Sequence, residues 1–142
     1  MAECVKILII GSGAAGLAAA VRLKSIGEDP LVCTEGLDMG TSINTGSDKQ
    51  TYYKLSLDGS KADSVVDMAH DLFAGGAVHG DIALVEASLS AVAFSNLVSL
   101  GVAFPHDEFG RFVGYKTDHD LRSRATSAGP YTSRDMCRQL IR

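Results

Sequence analysis

The chain has 142 residues, 17 acidic and 13 basic, for a formal net charge of −4. That length suits one ordinary domain, and 46% hydrophobic residues exclude wholesale disorder. The mild acidity argues against nucleic acid as a partner, and three scattered cysteines make no disulfide framework, which points to a reducing, cytoplasmic compartment.

The longest apolar stretch, Ile7 to Val21, carries three glycines and Ser12. It is too short to span a bilayer and lacks a basic leader, so neither a transmembrane segment nor a signal peptide is expected. Within it, Val5 to Ile10 (VKILII) is nearly continuous and β-branched, the pattern of a strand buried on both faces of a parallel sheet. Leu17 to Ile26 is rich in helix formers, and Gly27 sits where a helix ends in the left-handed conformation. Asp29-Pro30 turns the chain into a second strand, Leu31 to Thr34. Together these predict one strand-helix-strand unit with a right-handed crossover.

Residues 36–60 are polar throughout, and so long a loop in a compact domain is usually functional. Lys61 to Ala74 has helical spacing at Val65, Met68, Ala69, Leu72 and Phe73, and Gly75-Gly76 stops it. Asp81 is expected to cap a second helix that runs to Leu100. Its apolar stripe reads Ile82, Val85, Leu89, Val92, Ala93 and Leu97, and Gly101 ends it. Val102 to Phe104 and Arg111 to Gly114 are expected to pair as a minor hairpin, with a charged loop over 117–129. Thr132 or Ser133 then caps a third helix with no stop signal before Arg142, so the chain reads as ending inside an element.

The segment Gly11-Ser12-Gly13-Ala14-Ala15-Gly16 is G-x-G-x-x-G in its required setting, after a strand and opening a helix. Gly11 permits the tight turn, Gly13 lets backbone approach a pyrophosphate, and Gly16 lets helix and strand pack closely. Bare amides and the helix dipole would hold the anion. Glu35, after the second strand, can accept both hydroxyls of an adenosine ribose and would repel a 2′-phosphate. A dinucleotide is therefore expected, but this unit alone does not separate FAD from NAD. Gly40-Thr41-Ser42 and Thr45-Gly46-Ser47 offer small residues, hydroxyls and amides beyond the strand ends, which suits a long flavin dinucleotide. A solvated loop is the alternative.

The string IIGSGAAGLAAAVRLKSIG, followed by CTE, resembles the opening of FAD-dependent oxidoreductases of the fumarate reductase and succinate dehydrogenase flavoprotein type. The later strings LGVAF, FGRF and RATSAGPYTSRDMCRQL fit the same pattern. The resemblance implies an α/β fold: an incomplete Rossmann-like FAD-binding fold, an N-terminal β-α-β unit followed by helices and a minor hairpin. It implies FAD held through Gly11, Gly13, Ala14, Ala15 and Gly16, with Glu35 on the ribose. Thr41 and Ser42 would lie toward the pyrophosphate or flavin, and Gly46 and Ser47 near the isoalloxazine. Ser12, Gly36 and Thr45 complete the expected cofactor-binding set.

Some members link FAD covalently through a histidine after the acidic residue. Residues 36–60 contain none, so non-covalent FAD is expected. Gly46-Ser47-Asp48 stands where the family has a double glycine, and Tyr115 to Asp120 replaces a glycine-rich stretch. The family is also several times longer. Residues 1–142 would thus be the N-terminal part of an FAD-binding domain, lacking the capping domain and the C-terminal completion. The expected function is the FAD-binding part of an oxidoreductase that exchanges hydride between flavin and a small carboxylate substrate. An NAD-binding module and a truncated non-catalytic product are the alternatives.

Other residues invite a role. His106 and His119, the latter near Arg122 and Arg124, could form a proton relay or a carboxylate site, set against a charged surface loop. His70 and His79 read as exposed, and no metal-ligand spacing is present. Cys4 and Cys33 read as small core hydrophobes, and Cys137 as facing the missing part. Tyr52 or Tyr53 could stack on a flavin, with packing as the default. Lys49 and Lys54 could meet phosphate but read as exposed lysines. Ser12 is not in a nucleophile elbow.

Overall fold

The computed structural model describes residues 4–48, 50–57, 59, 61–118 and 120–142. In chain order the elements are β1 (Leu8–Ile10), α1 (Ala14–Ser25), β2 (Leu31–Cys33), α2 (Thr41–Asn44), β3 (Tyr52–Tyr53), α3 (Val65–Ala74), α4 (Gly80–Ser99), β4 (Tyr115–Thr117), β5 (Asp120–Thr126) and α5 (Thr132–Ile141). They fall into two compact units, Met1–Gln50 with Gly129–Arg142, and Thr51–Ala128.

In the first unit β1 and β2 pair in parallel, Leu8 opposite Leu31 and Ile10 opposite Cys33, as the β-α-β pattern requires. The Gly11 amide donates to the Cys33 carbonyl at 2.8 Å, which extends the ladder to the loop. Burial on both faces is not found. Ile9 points at Gly16 of α1, while Leu8 and Ile10, facing the other way, are 53% and 83% exposed. Among the described residues the pair has no further strand, and α1 covers only one face. Cys33 shares the uncovered face with Ile10 and is exposed, as is Cys4, so neither is a core residue. Helix α1 ends as its sequence demands: Gly27 has φ +84°, its amide donates to Lys24 O, and the Glu28 amide donates to Leu23 O, a Schellman motif.

Helix α5 packs on α1 and α2 and buries Cys137 fully within this unit, not toward a missing part. Burial pushes the Cys137 thiol pKa up, and a side-chain hydrogen bond with Ser42 partly opposes it. The α5 N-cap is Tyr131, not Thr132 or Ser133. Thr132 is spent on the Gly129 carbonyl at 2.7 Å, and the Ser133 amide donates to Gln50 Oε1 at 3.0 Å. A distant glutamine therefore does the capping, which a local sequence pattern cannot reveal.

In the second unit α3 begins at Val65, later than the apolar spacing suggests, because Ser64 is extended and its Oγ accepts the Asp67 amide at 3.0 Å. Helix α4 starts after His79, which leaves Asp81 in the first turn and not at the cap. Its buried face is Ala83, Ala87, Ser90, Phe94 and Leu97. Of the expected stripe only Leu97 is buried; Ile82, Val85, Leu89 and Val92 are each more than half exposed, and Ala93 is exposed too. The helix is apolar nearly all round, so periodicity cannot choose a face. Small residues on the chosen face suit close packing with α3. Phe94 anchors an aromatic cluster with Tyr52, Phe104 and Phe112 at centroid separations of 4.8–5.9 Å. By length and composition alone α4 could cross a membrane, and among the described residues it is the one helix that could.

A minor hairpin exists, but β4 and β5 form it, with β3 added antiparallel to β5. Residues 102–104 and 111–114 are not strands. Val102 and Phe104 are core instead, and a turn closed by the Asp107 amide on Arg111 O separates the two segments. The charged run over 117–129 contains a seven-residue strand, because its charges are neutralised inside the unit (below).

Candidate functional site

The glycine loop joins β1 to α1, and its glycines answer to different demands. Gly11 has φ +97°, a turn that L side chains rarely adopt. Gly16 is set by packing: a Cβ there would collide with the Gly11 carbonyl and sit 3.3 Å from Ile9 Cγ2. Gly13 answers to neither. Its φ of −72° and ψ of 173° are ordinary, and a Cβ would meet only Ser42 Oγ, at 3.6 Å. The fold itself does not require a glycine at 13.

Helix α1 opens at Ala14 with no side-chain cap and no acidic residue in its first turn. Its first backbone bond is the Leu17 amide to Gly13 O, at 3.0 Å. The Ala14 amide donates to Ser42 Oγ at 3.2 Å, and the Ala15 and Gly16 amides have no partner among the described residues. The loop thus presents donors at the positive end of a helix, which suits an anion.

Ser12 is 1% exposed and turns inward. Its hydroxyl is 2.9 Å from Thr34 Oγ1 and donates to the Gly36 carbonyl at 2.9 Å. This ties the glycine loop to the end of β2, where Glu35 stands exposed. Gly40 closes the other side: a Cβ there would lie 2.8 Å from Ser12 O and 2.9 Å from Gly13 N, so only glycine lets α2 approach this near. Thr41 and Ser42 follow at the start of α2, with Ser42 on the loop. Residues 11–16, Gly36 and Ser42 therefore form one constellation, with Glu35 and Thr41 beside it. Thr34 and Gly40 belong to it as well. Gly40 is among the small residues expected beyond the strand ends, whereas Thr34, a threonine at a strand end, carries no distinctive signal.

Thr45, Gly46 and Ser47 lie elsewhere in the unit, against the start of α5. The Ser47 amide donates to Pro130 O at 2.9 Å, and Thr45 Oγ1 is 3.4 Å from Ser133 Oγ. A Cβ on Gly46 would strike the Tyr131 ring at 2.6 Å, so packing accounts for that glycine.

In the second unit a buried charge cluster is committed to structure. Arg124, 3% exposed, pairs with Asp63 at 2.7 Å, Asp71 at 2.8 Å and Asp120 at 3.4 Å. Burial opposes its charge, but the hydrogen bonds it donates to Asp63 and Asp71 outweigh that and hold it firmly protonated. Asp120 also accepts the Arg124 amide at 2.9 Å, across a left-handed Ser123 (φ 62°). The 117–129 segment is therefore not simply a charged surface loop. His106 is exposed, with Nδ1 3.0 Å from Asp107 O, and His119 and Lys49 lie outside the described residues. His70 and His79 are exposed as expected. Lys54 is fully buried, contrary to its reading as an exposed lysine; its Nζ is 5.0 Å from the Phe94 ring centroid. Tyr52 packs in the aromatic cluster, and Tyr53 hydrogen-bonds Thr117 through its hydroxyl at 2.8 Å. No group of metal ligands occurs among the described residues.

Comparison with known proteins matches the family described as "FAD binding domain" over residues 6–139. None of the curated proteins matches in sequence. Among solved structures, Mycobacterium smegmatis Sdh1 in complex with UQ1 is similar at TM-score 0.77 and 19% identity, over 94% of this chain and 22% of that one. A variant of the E. coli quinol fumarate reductase is similar at TM-score 0.77 and 17% identity, over 96% and 23% of the two chains. The open conformation of a flavocytochrome c3 fumarate reductase gives TM-score 0.74 and 18% identity, over 99% and 25%. The chain thus spans at most about a quarter of the length of these proteins. At such identities the likeness establishes the fold, a partial FAD-binding fold of succinate dehydrogenase and fumarate reductase flavoproteins. The family rests on the match that runs from β1 into α5, and by it the chain belongs to the FAD binding domain family.

Proposed function

We propose that this chain is the FAD-binding part of a flavoprotein oxidoreductase that acts on a small carboxylate substrate by hydride transfer. The observation that carries the proposal is Gly13. Both its dihedrals and its surroundings would accept a side chain, yet it sits beside two unpartnered amides at a helix N-terminus. A residue kept small where the fold leaves room is one that keeps space for a ligand.

In this reading the Ala15 and Gly16 amides bind a phosphate oxygen of the cofactor, and Ser42 holds the loop in position through Ala14. Glu35 accepts the ribose hydroxyls. Ser12 and Gly36 position that carboxylate, and Thr41 lies toward the pyrophosphate. Thr45, Gly46 and Ser47 border the cofactor while braced on α5. With no histidine over residues 36–60, the cofactor is held non-covalently. FAD, when bound, would supply the two-electron acceptor of the reaction. The groups that bind substrate and move its proton are proposed to lie outside these residues, in a cytoplasmic protein of which this is the N-terminal part. The family match is to an FAD domain and does not favour the NAD-binding alternative.

A thermal melt with and without FAD tests the reading. An upward shift with FAD and none with NAD is expected. No shift with FAD, together with no flavin retained on gentle purification, would overturn it.

A further inference from the structure

The first unit contains a second feature that the glycine loop does not explain. A hollow of about 350 Å³ is lined by Asp38, Ile43, Asn44, Thr45, Tyr131, Arg134 and Arg138. Arg134 and Arg138 stand one turn apart on α5, so both guanidiniums reach the same side of the helix. The Arg134 guanidinium carbon lies over the Tyr131 ring, 3.8 Å from its centroid, a cation–π contact that anchors it. Its nearest carboxylate is Asp135 at 3.5 Å, and its buried Nε makes no hydrogen bond. Arg138 is exposed and has no ion pair or hydrogen bond among the described residues. Arg124 and Arg111, by contrast, are held by carboxylates at 2.7 Å. Arg138 and the terminal nitrogens of Arg134, whose Nε pairs only with Asp135 on its own helix, thus leave donors without an acceptor around one concavity among the described residues.

We propose that this hollow is a binding site for a small oxyanion, a carboxylate or phosphate group, held by Arg134 and Arg138. The planar fork of an arginine matches either group. The Asn44 amide is spent on Asp38 O at 2.6 Å and Gly40 O at 3.1 Å, so it fixes the wall and does not bind. Asp38 at the rim disfavours a second anionic group there and limits the site to one oxyanion at the arginines. Of the lining residues only Thr45 is also placed beside the cofactor, and the two anion contacts, Arg134 and Arg138, are not, so the proposed contacts do not rest on FAD in the glycine loop.

The test is calorimetric titration of the whole chain with succinate and, separately, with inorganic phosphate, each repeated with FAD present. Binding of one or both is expected, weakening with added salt. Which anion binds more tightly identifies the source of the group. Arg138→Gln, at an exposed position, should fold with an unchanged melting midpoint and bind about tenfold more weakly. Arg134→Lys, which keeps charge but loses the fork, should also weaken binding, and Arg142→Gln should not. Failure of both anions to bind, equal binding by Arg138→Gln, or complete displacement of the anion by FAD would each overturn the proposal. The last outcome would make the hollow part of the cofactor site.

Discussion

Replacing Gly13 by alanine separates a glycine kept for a ligand from one kept for the fold. The native φ of −72° suits alanine, and the new Cβ meets Ser42 Oγ at an ordinary 3.6 Å. Alanine is a poorer N-cap than glycine, by about 0.5–1 kcal/mol, and it gains about 0.4–1 kcal/mol by restricting the unfolded chain. The two nearly cancel, so the ligand-free melting midpoint should hardly move. FAD at about 100 times its Kd would stabilise the native chain by about 2.7 kcal/mol, a rise of roughly 10 °C for a protein of this size. Gly13→Ala should lose most of that rise, because the methyl fills the space a phosphate needs. Gly16→Ala is the contrast. Its Cβ must displace the Gly11 carbonyl, so the ligand-free protein itself should weaken, by about 1–3 kcal/mol. Differential scanning fluorimetry of the three proteins, with and without FAD, reads both effects. Full retention of the FAD-induced rise by Gly13→Ala would refute the reasoning, as would a ligand-free loss as large as that of Gly16→Ala.

Other outcomes follow from the second unit. Arg124→Met should destabilise by about 3–5 kcal/mol in urea unfolding, because it strands Asp63 and Asp120, which are 2% and 8% exposed. A cost below about 1 kcal/mol would show that the cluster is not held by its cation. Burial opposes ionisation of Asp63, but hydrogen bonds from Arg124 and the Ser56 amide outweigh it and hold the carboxyl below its ordinary pKa. Its contribution is therefore complete above the unfolded value, about 3.9, and is lost as pH falls through the lower folded value. The stability gap between wild type and Asp63→Asn should stay constant near neutrality and close below about pH 4; a gap that widens in acid would contradict the sign. On α4, Ala87→Leu should cost about 1–3 kcal/mol by overpacking a fully buried site, whereas Leu89→Lys should be nearly neutral in the same denaturation assay. The reverse ranking would restore the stripe expected from periodicity.

The first fifty residues were legible because their demands are local. A positive φ at Gly11, a Schellman end at Gly27 and a close approach at Gly16 are each written at the residue that meets them. What the sequence hid depends on distant partners. Nothing near Arg124 announces Asp63 and Asp71, so a buried strand read as a charged loop. Lys54 looked solvated because a lone lysine shows neither the Phe94 ring nor the Phe112 carbonyl 3.5 Å from its Nζ. Helix α4 misled for the opposite reason: with apolar residues on nearly every side, its spacing fits more than one buried face. Residues 11–16, Gly36 and Ser42, grouped from local signals, are also brought together in space. Thr45 to Ser47 also meet partners that their small, polar side chains do not announce: Pro130 O accepts the Ser47 amide, and the Tyr131 ring packs on Gly46.

Ser12, a variable position in the G-x-G-x-x-G pattern, is here a clasp. Its buried hydroxyl spans the tip of one strand-helix turn and the carbonyl that follows Glu35, so the two ends of the expected adenosine site move as one piece. In the proposed reading this sets the distance between the helix-terminal amides and Glu35 before any ligand arrives. In that reading little ordering of the loop is left to oppose binding. Loosening that clasp would blur which nucleotide is admitted before it affected whether the strands pair.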